Sequence, residues 1–273
     1  MLLMNARMYA GVSPAAAAAW RSILLRVAQT AGVDWAMLEH LPPTPISQLW
    51  ARDDLGLVQM CGLPYRLRRP RPHLVAVPQW QDPRTLGKPV YWSEIIVHAD
   101  SSCRRIEDTF GAVAGYTVTD SMSGYVAFRS LLSRQPAARE RIASGLPLFG
   151  RLLGELVTPR AVVEATAQGR IDVGPVDGYA YALLGATEPA LAAQVRSICT
   201  TPAVPMPPFV ATAQLPDEVL ATLRRALAAV ADDEHLAPAM RTLQLTGFVP
   251  VMPAYYDILL EHFEASASLA LSW

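Results

Sequence analysis

The stretch Thr200-Thr201-Pro202-Ala203-Val204-Pro205-Met206-Pro207-Pro208-Phe209 constrains the fold of this chain more than any other. Its four prolines in ten residues remove four backbone N–H donors and hold φ near −65°, so neither a helix nor a central strand can pass through it. The segment must be an extended connector. On both sides of it, short apolar runs alternate with amphipathic patterns of helical period, the signature of an α/β protein. A second extended crossing is expected near residues 95–100, at the end of a long β-rich run.

Two α/β lobes follow from this punctuation. The first comprises residues 1–97 and 206–273, and so contains both termini; the second is the inserted segment 98–205. In the first, strands are expected over 5–9, 37–41, 56–60, 73–80 and 90–98. Ser13-Pro14, a cap followed by proline at the first helical position, opens a helix through residue 31. Thr44-Pro45 caps a short helix through residue 51. In the second, a run over 106–110 precedes a strand over 113–119, a helix over 123–134 and another from residue 137. Thr158-Pro159 opens a helix that Gly169 ends, a buried strand covers 171–176, and a helix follows over 179–184. After the connector, helices are expected over 216–231, 235–243 and 255–270. Two lobes joined by two extended crossings enclose a cleft, the usual place for a ligand, and close by a hinge.

Composition narrows the function. The 273 residues are 52% hydrophobic, enough for a sizeable core, and the net charge is −1, which gives no bulk attraction to nucleic acid or to an anionic membrane. The one basic cluster, Arg66-Leu67-Arg68-Arg69-Pro70-Arg71, lacks interleaved aromatics and reads as a solvated loop. Three cysteines (Cys61, Cys103, Cys199) and five histidines are scattered without ligand spacing, so neither a metal nor another cofactor is expected. The cysteines read as free or buried thiols, a disulfide between some pair remaining open. No apolar run reaches the roughly 20 residues that span a bilayer. Arg7 and the alanines at 15–19 suggest an export leader, but Gly11, Ser13 and Pro14 break the apolar stretch. The native protein is therefore cytoplasmic, or its leader is missing from this chain.

The segment with most chemistry is Gly115-Tyr116-Thr117-Val118-Thr119-Asp120-Ser121-Met122-Ser123-Gly124-Tyr125. A β-prone run breaks into small polar residues and at once becomes a helix, with Val126, Phe128, Leu131 and Leu132 on one stripe. Two serine hydroxyls and several unpaired N–H groups thus gather at a helix N-terminus, where partial positive charge favours an anion. The plainer reading makes Ser121 or Ser123 only an N-cap.

Met8-Tyr9, Cys61-Gly62-x-Pro64, Tyr91-x-Ser93-x-Ile95-Ile96-Val97 and Ser121-x-Ser123-Gly124 occur in order. Gly169-x-x-Asp172-x-Gly174-x-Val176-Asp177, Thr201-Pro202-Ala203-x-Pro205 and Gly247-Phe248 follow. With these motifs the chain resembles the PhnD-like family of phosphate, phosphite and phosphonate ABC-transporter substrate-binding proteins over nearly its whole length. The resemblance implies a type II periplasmic-binding-protein fold that closes on a small oxyanion, a periplasmic location and an ABC-transporter permease as partner. It also implies roles residue by residue. Tyr9 lines the first-lobe wall, Cys61 and Gly62 bring backbone N–H groups near the ligand, and Tyr91 and Ser93 offer hydroxyls. Ser121, Ser123 and Gly124 form the anion cradle, while Asp177 and Tyr179 face the ligand's other end. Plainer alternatives stand beside each: strand aromatics for Tyr9 and Tyr91, a small core residue for Cys61, an N-cap for Asp177. Two departures concern ligand identity. Leu156-Val157-Thr158-Pro159 replaces a Gly-Ser-His type motif, and Ala10 stands where an acidic residue is common.

Capture and release need no catalytic base, and no nucleophile–base pair is evident in the sequence; Ser121 and Ser123 lack the glycine two residues before that a nucleophile elbow requires. His98 is the one histidine expected near the cleft. The alternatives are a cytoplasmic enzyme or a ligand sensor on the same fold, the menaquinone-pathway enzymes being an example of the former.

Overall fold

The computed structural model describes residues 1–269. Its strands, in chain order, are β1 (Leu3–Asn5), β2 (Ala36–Met37), β3 (Leu55–Gln59), β4 (His73–Trp80), β5 (Val90–Tyr91), β6 (Ser93–His98), β7 (Val113–Gly115), β8 (Arg151–Leu153), β9 (Gly174–Asp177), β10 (Val195–Thr200), β11 (Val204–Pro205), β12 (Phe209–Ala211) and β13 (Leu245–Val249). The helices are α1 (Arg7–Ala10), α2 (Pro14–Ala31), α3 (Ile46–Trp50), α4 (Gly62–Leu67), α5 (Ala127–Arg134), α6 (Pro136–Ala143), α7 (Pro159–Ala167), α8 (Gly178–Thr187), α9 (Pro189–Ala192), α10 (Asp217–Ala228), α11 (Ala237–Thr242) and α12 (Ile258–Ala267). The chain divides into two compact units. One comprises Met1–Val90 and Pro205–Tyr256; the other comprises Tyr91–Val204 and the described residues from Asp257 on.

The first unit is built on a six-stranded sheet of order β13-β4-β12-β3-β1-β2. β1 runs parallel to β2 and β3, whereas β12 is antiparallel to β3 and β4, and β13 to β4. β3 and most of β4 are buried along their length, as expected for strands covered on both faces. α2 is capped by Ser13, whose Oγ accepts the Ala16 N–H at 3.1 Å, and ends at Gly32 in the left-handed conformation. Its buried stripe includes Trp20, Ile23, Leu24 and Val27, and Trp20 packs on Phe209 with ring centroids 5.5 Å apart.

The second unit carries an antiparallel sheet of order β10-β6-β9, and a parallel pair, β7 and β8. Its core gathers Ile95 and Val97 of β6, Ala114 of β7, Phe128 and Leu132 of α5, and Phe149. α12 packs here against α5. Arg129 is 3% exposed; its Nη2 donates to the carbonyls of Ser266 and Leu269 at 3.0 and 2.7 Å, and Ser130 Oγ lies 3.1 Å from His262 Nδ1.

Several elements differ from the sequence expectation, each for a local reason. The strand expected over 5–9 ends at Asn5, because the Asn5 Oδ1 accepts the Arg7 N–H at 2.7 Å and turns residues 7–10 into a helical turn. The run over 106–110 is a 3₁₀ turn, held by Asp108, whose carboxylate accepts the N–H groups of Arg104 and Arg105 at 2.8 and 2.9 Å. The strand expected over 113–119 stops at Gly115. The strand over 90–98 is interrupted at Trp92. The sequence grouped the C-terminal helix with the first lobe and extended it to residue 270. Its buried face meets α5, so it falls in the second unit and the chain passes between units three times rather than twice; residue 270 lies outside the described residues.

Candidate functional site

Thr117 to Gly124 is a closed polar turn running into a helix. Ser121 N–H donates to Val118 O at 3.1 Å, and Thr117 N–H reaches across to Gly124 O at 3.3 Å. The helix starts with a π turn, Met122–Val126, continuous with α5; Val126 N–H bonds Ser121 O at 3.0 Å. Such wide turns recur at functional sites because they re-aim side chains and backbone groups. Ser121 is the N-cap: its Oγ accepts from Gly124 N–H at 3.0 Å. Among the described residues nothing accepts from the N–H groups of Met122 and Ser123. They stand in the first turn, where the helix presents partial positive charge.

Gly124 is there because nothing larger fits. A Cβ on it would lie 1.9 Å from Thr117 Oγ1 and 3.0 Å from Ser121 Oγ. Thr117 is buried, and its hydroxyl has no hydrogen-bond partner among the described residues.

A buried polar chain backs this turn. In the β6–β9 ladder Ser93 stands directly opposite Asp177. Ser93 Oγ donates to Ser123 O at 2.7 Å, and Ser123 Oγ donates to Asp177 Oδ2 at 3.1 Å. Asp177 caps α8, with Oδ1 accepting the Ala180 N–H at 3.0 Å. Thr201 closes the other end: its Oγ1 accepts Ser93 N–H at 2.9 Å and its own N–H donates to Ser93 O at 3.0 Å. Ser93, Ser123, Asp177 and Thr201 are all 6% exposed or less. Hydrogen bonds so deeply buried hold their partners firmly, since breaking one strands a polar group away from water.

The structure therefore joins Ser93, Ser121, Ser123, Gly124 and Asp177 into one network of the second unit. Tyr91 and Tyr179 are in the same unit, 1% and 0% exposed. Burial, together with the Asp177 carboxylate, pushes the Tyr179 phenol well above its ordinary pKa. Tyr9, Cys61 and Gly62 belong to the first unit and are buried there: Tyr9 in α1, Cys61 as the residue before α4, Gly62 as its first residue. All three cysteines are free.

Sequence reading missed the partners that make the network. Thr117 supplies the wall that demands glycine, and Thr201 was visible only as part of a proline motif. Glu94 was not singled out at all, yet its buried carboxylate accepts from Trp92 Nε1 at 2.8 Å and from Ser197 Oγ at 2.6 Å. Only the strand register brings these groups together. Among the described residues there is no cluster of three or more metal-ligating side chains, and no helix is long and apolar enough to cross a membrane.

The alternation of strands and helices and the mixed sheet make an α/β fold, and the solved structures it matches are periplasmic binding proteins. A binding-protein component of an ABC phosphonate transporter from Pseudomonas aeruginosa matches it with a TM-score of 0.78 at 19% identity, over 97% of this chain and 86% of that one. PhnD1 from Prochlorococcus marinus (MIT 9301), in complex with methylphosphonate, matches with a TM-score of 0.77 at 13% identity, over 98% of each. XAC2383 from Xanthomonas citri, bound to ATP, matches with a TM-score of 0.65 at 17% identity, over 98% of this chain and 97% of that one. At these identities the likeness establishes the fold. No curated protein sequence matches the chain. Residues 16–256 match the family described as ABC transporter, phosphonate, periplasmic substrate-binding protein, and the chain belongs to that family. It is a family of substrate-binding proteins rather than enzymes, with the periplasm as its usual place of work.

Proposed function

We propose that this chain captures a small oxyanion of the phosphonate–phosphate type and hands it to an ABC-transporter permease, with residues 117–124 as the anion cradle. One observation carries the reading. At the start of the helix the cap satisfies Gly124 N–H internally, while Met122 and Ser123 N–H have no acceptor among the described residues. Two such N–H groups bonding a charged oxygen contribute roughly 1.5–3 kcal/mol each, about 3–6 kcal/mol together, so micromolar affinity, about 8 kcal/mol, requires further contacts beside them. Support also comes from family membership and from the Prochlorococcus protein's methylphosphonate complex.

The buried chain behind the cradle refines the roles expected from sequence. Ser93 and Ser123 spend their hydroxyl protons on Ser123 O and Asp177, so in this reading they fix the cradle while the backbone binds. The proposal extends to Tyr9, Cys61 and Gly62 of the first unit as further ligand contacts, to Tyr91 and Tyr179, and to a periplasmic site of action.

The test is titration calorimetry with methylphosphonate, phosphite, phosphate and sulfate, paired with thermal unfolding. A bound oxyanion at a hundredfold excess over Kd adds about 2.7 kcal/mol of stability. If none of the four gives heat or raises the melting temperature at millimolar concentration, the reading fails.

A further inference from the structure

We propose that the first unit holds a second anion site, built on Arg7, that accepts a small organic acid carrying a carboxylate head and a short hydrocarbon body. Arg7 is only 7% exposed. Among the described residues the hydrogen bonds of its guanidinium all run through one nitrogen: Nη1 donates to Thr44 O at 2.6 Å and to the Nδ1 of His40. Because a guanidinium can only donate, His40 accepts there as the neutral Nε2–H tautomer. Burial and the nearby Arg7 charge lower the His40 pKa, consistent with that neutral state. No described carboxylate lies within 4.0 Å of Arg7, although exposed Glu39 sits elsewhere on the cavity wall. Buried charges in folded proteins are normally paired, so an arginine with two neutral acceptors and no counter-ion is an uncompensated cation.

The guanidinium lines a cavity of about 270 Å³ contained within this unit. Its Nε and Nη2 make no hydrogen bond to a described residue, and together they form the edge that fits a carboxylate in two parallel bonds. Much of the remaining wall is apolar, including Ala17, Trp20, Met37 and Leu41. The charge count selects the ligand class. Arg7 and Arg21 set against Glu39 leave one net positive charge on the wall, which a monoanion neutralises, whereas a dianion such as phosphate would bring a second charge without a partner. A monoanion with a hydrocarbon body satisfies both the cation and the walls.

Hexanoate, hexanol and inorganic phosphate are the probes, read by saturation-transfer NMR and thermal unfolding on the full chain. Hexanoate should saturate and raise the melting temperature, and Arg7→Met should weaken it at least tenfold. Hexanol and phosphate should show no dependence on Arg7. Should Arg7→Met fail to fold, Ala17→Phe tests the same point: residue 17 lines the cavity from an exposed position on α2, makes no hydrogen bond with Arg7, and a larger side chain there narrows the space for the hydrocarbon body. Hexanoate that does not bind, or that binds both variants as well as the parent, overturns the proposal. So does phosphate binding as tightly as hexanoate at Arg7. Calorimetry with methylphosphonate on Ala17→Phe keeps the two sites distinct, since that variant alters neither residues 117–124 nor the Arg7–Ala10 turn that carries Tyr9.

Discussion

Gly124→Ala is the sharpest single perturbation of the cradle. The new methyl group would start 1.9 Å from Thr117 Oγ1 and 2.9 Å from Thr117 Cβ, far inside contact distance. A flexible side chain would swing away, but Thr117 is β-branched, stiff at χ1 and only 4% exposed. Relief must therefore come from the backbone, and the backbone here is pinned by Thr117 N–H to Gly124 O and Gly124 N–H to Ser121 Oγ. Overpacking of this kind costs about 1–3 kcal/mol, or a fall in Tm of roughly 3–9 °C for a protein of this size. Thr117→Ala removes the nearer atom and also deletes a buried hydroxyl without a partner, so alone it should cost little. Combined with Gly124→Ala it should recover part of the loss, since the Cβ of residue 117 at 2.9 Å remains, a coupling of about 1 kcal/mol in a double-mutant cycle measured by denaturant unfolding. Methylphosphonate calorimetry on the four proteins should follow the same pattern. An alanine at 124 as stable as glycine, or a cycle additive to within about 0.5 kcal/mol, would refute the steric argument and the tight turn with it.

Further predictions concern other parts of the chain. Asp177→Ala removes the cap of α8 and strands the Ser123 hydroxyl, and should cost about 2–3 kcal/mol, visible as a lower denaturation midpoint. Leu86 has φ 51° and is 81% exposed, so Leu86→Asn sheds left-handed strain without losing packing and should gain about 0.5–1 kcal/mol; a lower Tm would contradict this. His262 is buried on α12, and burial, with the Arg134 charge, lowers its pKa. The unfolded chain then takes up a proton that the folded state refuses. Stability is full above the unfolded value of about 6.5 and is lost as pH falls from there toward the lower folded pKa. Denaturation midpoints taken between pH 8 and 5 should show that loss, and His262→Gln should flatten it.

What the sequence disclosed and what it hid follow from the range of the interactions. Helix starts were legible because caps are local: Ser13 and Thr158 each accept an N–H three residues on, at 3.1 Å, and each precedes a proline. The buried strand His73–Trp80 was legible from its apolar run. The turn at Arg7 was not, since one side-chain bond from Asn5 overrides a β-prone pattern. The place of the C-terminal helix was hidden for a different reason. Its apolar stripe shows that it needs a partner, but Arg129 and Ser130, which receive it, lie more than 130 residues earlier. In the same way Ser93 and Asp177 are both visible in the sequence, whereas their opposition across the β6–β9 ladder is a matter of register, which a single strand does not encode.

The two readings of Ser121 to Gly124, a helix cap and the proposed anion site, concern different N–H groups. A helix leaves its first N–H groups unpaired, and a capping side chain can satisfy only one or two of them. Ser121 takes Gly124 N–H. That bond fixes the first turn, and the π turn after it carries Val126 N–H back to Ser121 O. Met122 and Ser123 N–H are left over, held in place by a cap that does not consume them. A capping serine at this position is therefore a reason to expect an anion beside it. Ser121→Ala should then weaken oxyanion binding through loss of order in the first turn, even though the hydroxyl already spends its acceptor within the protein. Ser121→Asp should keep the cap but bring a negative charge to the ligand, abolishing binding while preserving the helix. Calorimetry and circular dichroism on the two variants separate these effects, and an aspartate that binds methylphosphonate as well as serine does would show that the anion sits elsewhere.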